Sequence, residues 1–97
     1  MEDADFNDFN INIAVVGLGL IGGSYAMSLR KLKPLEICGI DMDGSILEEA
    51  LKNGIIDRGS KTGEVVLKQS DLVIIALYPE ETVEFLKRNI HYFKKMQ

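Results

Sequence analysis

The hydrophobic positions of this chain change period as they run, and each change marks an element. Residues 11–16, INIAVV, form a β-branched run that stops at Gly17. A near-continuous apolar run of that length predicts a strand covered on both faces. From Leu20 the spacing turns helical. Ile21, Tyr25, Ala26 and Leu29 recur through LIGGSYAMSLRKL and Pro34 closes the segment, which predicts a helix leaving a glycine turn. A second apolar run, Leu35 to Ile40, ends at Asp41 and predicts a second strand. Ser45 and Glu48 then make a capping-box pattern ahead of Ile46, Leu47, Ala50 and Leu51, and Gly54 stands where a helix C-cap favours positive φ.

Ile55 and Ile56, ahead of Asp57-Arg58-Gly59, predict a very short third strand, and Thr62 to Ser70 a short helix around Val65, Val66 and Leu67. Leu72 to Leu77 is six apolar residues in a row, the pattern of a central parallel strand. Pro79 ends it. Val83, Leu86, Ile90 and Phe93 then form the apolar stripe of a last helix whose other face carries Glu80, Glu84, Lys87, Arg88 and Lys94. Strands alternating with helices through right-handed crossovers predict an α/β fold, a parallel sheet of order 3-2-1-4 covered on both sides, the first part of a doubly wound Rossmann-type fold. The Leu72 strand would lie beside the Ile11 strand, so that Leu77-Tyr78-Pro79 opens at the same crevice as the glycine turn.

Composition narrows the class. With 97 residues, 46% of them hydrophobic and 27% charged, and with two prolines, the chain reads as one small folded domain. A domain of this size buries only about 60–65% of the surface its unfolded chain exposes, so its margin of stability is small. Glu2, Asp3, Asp5 and Asp8 stand in the first ten residues without a base, and the remaining 11 acids balance 11 bases. A neutral body argues against a nucleic-acid footprint, and the acidic start against a secretory signal. No apolar stretch approaches the roughly 20 residues that span a bilayer. A soluble cytoplasmic protein is expected. The single Cys38 reads as a small core residue in a reducing compartment.

The chemistry lies in Gly17-Leu18-Gly19-Leu20-Ile21-Gly22, a G-x-G-x-x-G pattern between a predicted strand and a predicted helix, with Asp41 nineteen residues after Gly22 at the end of the next strand. The three glycines differ in purpose. Gly17 permits the tight turn, Gly19 lets the backbone approach a pyrophosphate, and Gly22 lets the helix pack against the strands. N–H groups at the helix start, with the positive end of its dipole, would hold the phosphates. Asp41 is placed to accept hydrogen bonds from the adenosine ribose hydroxyls and to repel a 2′-phosphate. Asp43 adds negative charge, and no Arg or Lys stands between Pro34 and Lys52, which favours NAD over NADP. Met42, beside Asp41, and Leu77, Tyr78 and Pro79, at the end of the fourth strand, complete the expected cofactor-binding residues. Residues 1–10 are expected as a solvated acidic leader and residues 11–97 as the dinucleotide-binding domain.

Other residues carry less. His91, the one histidine, stands among Asn89, Tyr92 and Lys94 with no carboxylate at helical spacing to orient it, and reads as a solvated helix face. Tyr78 could line the nicotinamide side of the crevice or cover an exposed sheet end. Ser24 reads as a helix-surface serine, and Lys94-Lys95 as a solubilising helix end.

The segment INIAVVGLGLIGGSYAMSLRK, then CGID, GIID at 54–57, and SDLVIIAL followed by Pro79, resembles the start of the prephenate dehydrogenases. The similarity runs from about Ile11 to Phe93. It departs at Tyr78, where that family usually has a smaller apolar residue. The resemblance implies NAD-dependent oxidative decarboxylation of prephenate, or of the related arogenate, toward tyrosine. In that family the catalytic histidine, the substrate-binding arginine and the helical dimerisation domain all follow the segment matched here. His91 does not stand in the family's histidine motif, so this chain is expected to be the cofactor-binding part, inactive alone. Two readings compete. A non-catalytic dinucleotide-sensing module would use the same half-fold, and an interaction module would bind no dinucleotide at all. Finally, the Leu72 strand would expose an unpaired apolar edge, so self-association is expected.

Overall fold

The computed structural model describes residues 10–94. The acidic leader therefore lies, Asn10 apart, outside the described residues, as does Lys95 of the closing lysine pair. Four strands, β1 (Asn12–Val16), β2 (Glu36–Ile40), β3 (Arg58–Ser60) and β4 (Leu72–Ile75), pair in parallel in the order β3-β2-β1-β4. The connections are α1 (Leu20–Leu29), α2 (Gly44–Lys52) and α3 (Glu64–Gln69), and α4 (Pro79–Asn89) follows β4. Short 3₁₀ turns extend α1 through Leu32 and α4 through Tyr92. The predicted sheet order is the observed one.

Register explains why β1 reads as a continuous apolar run. Ile13 and Val15 join Ile37, Leu18, Ala26, Leu47, Ala50 and Ile56 on the α1–α2 side, while Ala14 and Val16 join Cys38, Ile40, Val66 and Leu67 on the other. Both faces of the central strand are thus interior, and alternation vanishes. Cys38 is buried among them, as expected. Burial pushes its thiol upward from the ordinary value, with the neighbouring Glu36 adding to the effect.

Five details depart from the sequence pattern. The third strand begins at Arg58, opposite Cys38, and Ile55 and Ile56 end the preceding loop instead. Ile56 packs into the core beneath Gly39, and Gly54 at φ +73° turns the chain out of α2 as a C-cap glycine should. The N-cap of α2 is Asp43 rather than Ser45: its Oδ1 accepts from the Ser45 N–H at 3.0 Å and from the Ser45 hydroxyl at 2.7 Å. Side-chain and backbone bonds from Ser45 hold the Asp43 carboxyl below its ordinary range. On α1 the inward residues are Gly22, Ala26 and Leu29, so Ile21 and Tyr25 of the predicted stripe stand in solvent. On α4 it is Phe85, followed by Tyr92 and Phe93, that meets the core, leaving Val83 and Ile90 exposed. β4 is shorter than its apolar run, though among the described strands it lies at the edge that the predicted order gives it.

The GIID segment holds three elements together. Asp57 accepts two bonds from the Arg30 guanidinium, at 2.9 and 3.2 Å, and one from the Ile37 N–H at 2.8 Å. Arg30 also donates to the Ile55 carbonyl at 3.0 Å. One carboxylate thus clips the end of α1, the start of β2 and the α2–β3 loop together. Burial opposes its charge, but the Ile37 N–H and Arg30 outweigh that and hold Asp57 below its ordinary value. Because the folded-state value is the lower one, the clip stabilises fully above the unfolded-state value near 3.9 and is lost as pH falls through the folded one. Asp57→Asn should cost about 1–2 kcal/mol at neutral pH, a charged hydrogen bond discounted for partial exposure. Urea unfolding checks this: the gap between the two proteins should close below about pH 4, and a pH-independent gap would mean that the charge is irrelevant.

Candidate functional site

The carboxyl ends of β1, β2 and β4 and the first turn of α1 meet at one crevice. Gly17 closes the turn after β1: its N–H donates to the Ile40 carbonyl at 2.7 Å, and its φ is +86°. A Cβ there would stand 2.8 Å from the Ala76 carbonyl oxygen and 2.8 Å from Leu77 Cδ2. Residue 17 is therefore glycine for conformation and for space, and the end of β4 presses against the turn as expected. Gly22 is tighter still. A Cβ on it would fall 1.7 Å from the Gly17 carbonyl oxygen, so α1 can cross the strand only without a side chain at this point.

Gly19 differs from both. It has φ −64° and ψ −159°, open to any residue, and a Cβ on it would meet nothing within 4 Å. Nothing in the described chain requires glycine at this position. The first turn of α1 begins here with no side-chain cap and no acidic residue, so its backbone donors and the positive end of the helix dipole face the crevice. Leu20 is 90% exposed and Ile21 is also exposed, and both are positioned to offer N–H groups rather than packing. Leu18 behaves in the opposite way. Its side chain is buried, and its Cδ1 would lie 2.4 Å from a Cβ on Gly39. That contact gives the glycine of CGID its reason, one that the sequence alone did not reveal.

Asp41 stands half-exposed at the end of β2 with both oxygens engaged on one side. Its Oδ2 accepts from the Leu18 N–H at 2.9 Å and its Oδ1 from the Asp43 N–H at 2.9 Å. The carboxylate thus ties the glycine turn to the loop before α2. Each oxygen keeps a lone pair for a further donor. Met42 follows it, exposed on the rim. A cation distant in sequence also lies here: Lys61, from the β3–α3 loop, brings Nζ to 3.3 Å from where a Cβ on Gly44 would be, beside the charge of Asp43.

At the other side of the crevice, Tyr78 is the N-cap of α4 and 78% exposed, so its ring does not cover the sheet end. Pro79 opens the helix, and the Tyr78 N–H is 3.4 Å from Glu81 Oε1. A shallow groove beside α1 is lined by Leu20, Ile21, Ser24, Tyr25 and Ser28. Ser24 donates its hydroxyl to the Leu20 carbonyl at 3.0 Å, the backbone bond of a helix-surface serine. His91 lies beyond the far end of α4, about 16 Å along the helix from the crevice, its ring 4.1 Å from that of Tyr92. It takes no part in the site. Among the described residues no cluster of His, Cys, Asp and Glu is arranged to hold a metal ion, and no helix is long and apolar enough to cross a membrane.

Comparison with known proteins points one way. No protein-family model matches the chain. It is 37% identical over 86 residues to the prephenate dehydrogenase of Bacillus subtilis (strain 168), covering 88% of this chain and 23% of that protein. It is 40% identical over 78 residues to the prephenate dehydrogenase of Lactococcus lactis subsp. cremoris (strain MG1363), covering 78% of this chain and 21% of that one. Among solved structures, prephenate dehydrogenase from A. aeolicus in complex with hydroxyphenyl propionate and NAD+ superposes with a TM-score of 0.79 at 30% identity, over 87% of this chain and 30% of that one. Synechocystis arogenate dehydrogenase gives 0.80 at 25% identity, with the same two coverages of 87% and 30%. The chain thus spans about a fifth of the length of the curated relatives.

Proposed function

We propose, from the premise that this chain is homologous to the prephenate dehydrogenases over one stretch of their length, that it is the NAD-binding portion of such an enzyme. The observation that carries this is Gly19, a glycine that the fold does not need and that a pyrophosphate crossing the first turn of α1 would need. Residues 11–97 would form the cofactor-binding domain of a larger cytoplasmic oxidoreductase. Its reaction would be the oxidative decarboxylation of prephenate or arogenate.

The residues fit the cofactor from end to end. Gly17 sets the turn, and the N–H groups of the first α1 turn hold the pyrophosphate. Asp41 receives the adenosine ribose hydroxyls, with Met42 alongside the adenine. Leu77, Tyr78 and Pro79 would border the nicotinamide end. When bound, NAD supplies the hydride acceptor. The chain's own contribution would be to hold it, through the first turn of α1 and Asp41. His91, the one histidine, lies at the opposite end of α4 from Tyr78 and Pro79, so it is not placed to act as a general base at the nicotinamide end.

Titration calorimetry with NAD should show one site per chain. NAD and prephenate together should yield no NADH absorbance with the 97-residue chain. Absence of NAD binding by a folded protein would overturn the cofactor reading, and appreciable turnover would overturn its restriction to binding.

A further inference from the structure

Three separate stretches of chain meet beside the carboxylate that would take the adenosine ribose. Asp41 follows β2, its N–H donates to the Ser60 carbonyl at the end of β3 at 3.0 Å, and its Oδ1 accepts from the Asp43 N–H at 2.9 Å. One residue thus anchors both neighbouring loops. Ser60 braces the β3–α3 loop in turn, its Oγ accepting from the Thr62 N–H at 3.2 Å, so Lys61 leaves a fixed backbone. The Lys61 side chain lies across the start of α2, with Cε and Nζ 3.1 and 3.3 Å from where a Cβ on Gly44 would be. A bare glycine lets the ammonium reach the first turn of that helix.

A cation at this place needs a counter-charge. The start of a helix carries unpaired N–H groups and the positive end of the dipole, so an ammonium beside it is unfavourable without an anion between them. Asp43 is that anion. Its Oδ1 accepts from the Ser45 N–H at 3.0 Å and from the Ser45 hydroxyl at 2.7 Å. These bonds keep its carboxyl ionised, and the charge of Lys61 adds to them. A backbone donor, a hydroxyl and an ammonium gathered around one anion are also the donors that receive a phosphate. Asp43 and Lys61 are both exposed, so a ligand can reach the same donors.

On the reading that the crevice takes NAD, we infer that Asp43 is a specificity-determining residue whose carboxylate occupies, from within the chain, the Ser45 and Lys61 donors that would otherwise receive the 2′-phosphate of NADP. Rejection of that phosphate is then competition for donors as well as repulsion. The two differ in how they use Lys61. Charges acting independently would make the effects of Asp43 and Lys61 on NADP add, whereas a shared receptor makes each depend on the other. Cofactor choice thus divides between Asp41, which takes the ribose hydroxyls, and Asp43, which fills the place beside them.

Calorimetric titration of the 97-residue chain with NAD and with NADP tests this, the quantity read being the ratio of NADP to NAD affinity. Asp43→Asn keeps a good helix cap and removes the charge. The ratio should rise at least about tenfold, the effect of deleting one unit charge a few ångströms from a phosphate dianion. Asp43→Ser, another good cap, should give a gain of the same order, so the outcome does not hang on the folding of one variant. Lys61→Ala should lower the ratio at least about fivefold more in the Asp43→Asn protein than in the wild type. An unchanged ratio in both Asp43 variants would overturn the inference, as would equal effects of Lys61→Ala in the two backgrounds. In either case NAD still binds and the cofactor reading stands. Failure of the folded wild type to bind NAD would instead remove that reading and this inference together.

Discussion

Gly19→Ala should leave the protein folded and cost it most of its affinity for NAD. Overpacking a close contact costs about 1–3 kcal/mol, roughly 5- to 150-fold in binding. No such cost falls on the free protein, where a Cβ at residue 19 meets nothing within 4 Å and the backbone is already in an extended region. Alanine is a poorer N-cap than glycine, so a change in stability up to about 1 kcal/mol is expected. Gly22→Ala serves as the contrast. Its Cβ would lie 1.7 Å from the Gly17 carbonyl oxygen, so α1 and the turn must separate, and both melting temperature and affinity should fall. Calorimetry and thermal melts on the two variants separate the glycine kept for the fold from the one kept for the ligand. Wild-type affinity in Gly19→Ala would place the pyrophosphate elsewhere and sink the reading.

The second large effect concerns cofactor choice. Wild type should bind NAD more tightly than NADP, because a 2′-phosphate would enter beside the carboxylates of Asp41 and Asp43. Asp41→Ala should lower NAD affinity at least about tenfold, the scale of a lost hydrogen bond to a charged group. It should also improve NADP binding. Lys61 supplies the reason for that gain: once Asp41 is gone, its ammonium, held beside Gly44, and the Ser45 hydroxyl remain to face the extra phosphate. Asp41→Ala also frees the Leu18 and Asp43 N–H groups, so some loosening of the turn is included in the NAD loss. Asp41→Ala combined with Lys61→Ala should recover none of the NADP affinity. Equal affinities for the two cofactors in the unmutated protein would remove the ribose role from Asp41.

The parts of the fold legible in the sequence are those enforced by local physics. The INIAVV run, the glycine turn, Pro34, Gly54 and the uncharged stretch at Leu72 each restrict the backbone or its burial regardless of what packs around them. Element order and sheet order follow, because right-handed crossovers leave few alternatives. Legibility failed where two solutions are locally equivalent. Ser45 and Asp43 are both good caps, and the loop geometry that lets Asp41 bind the Asp43 N–H selects the earlier one. On α4, the predicted stripe Val83–Leu86–Ile90–Phe93 and the set Phe85–Tyr92–Phe93 both make an apolar face sharing Phe93, and the aromatic side chains take the core.

By itself, the sequence determined the strand–turn–helix with its G-x-G-x-x-G, the acidic residue closing the second strand, and hence the kind of ligand to expect, because glycine conformation and backbone donors are properties of a few adjacent residues. Only the tertiary structure decided which glycines serve the fold and which is left for a ligand. It also assigned Asp57 as a clip and brought Lys61 beside Gly44 and Asp43. Those properties depend on what lies a few ångströms away in space, and the partners come from elements well separated along the chain.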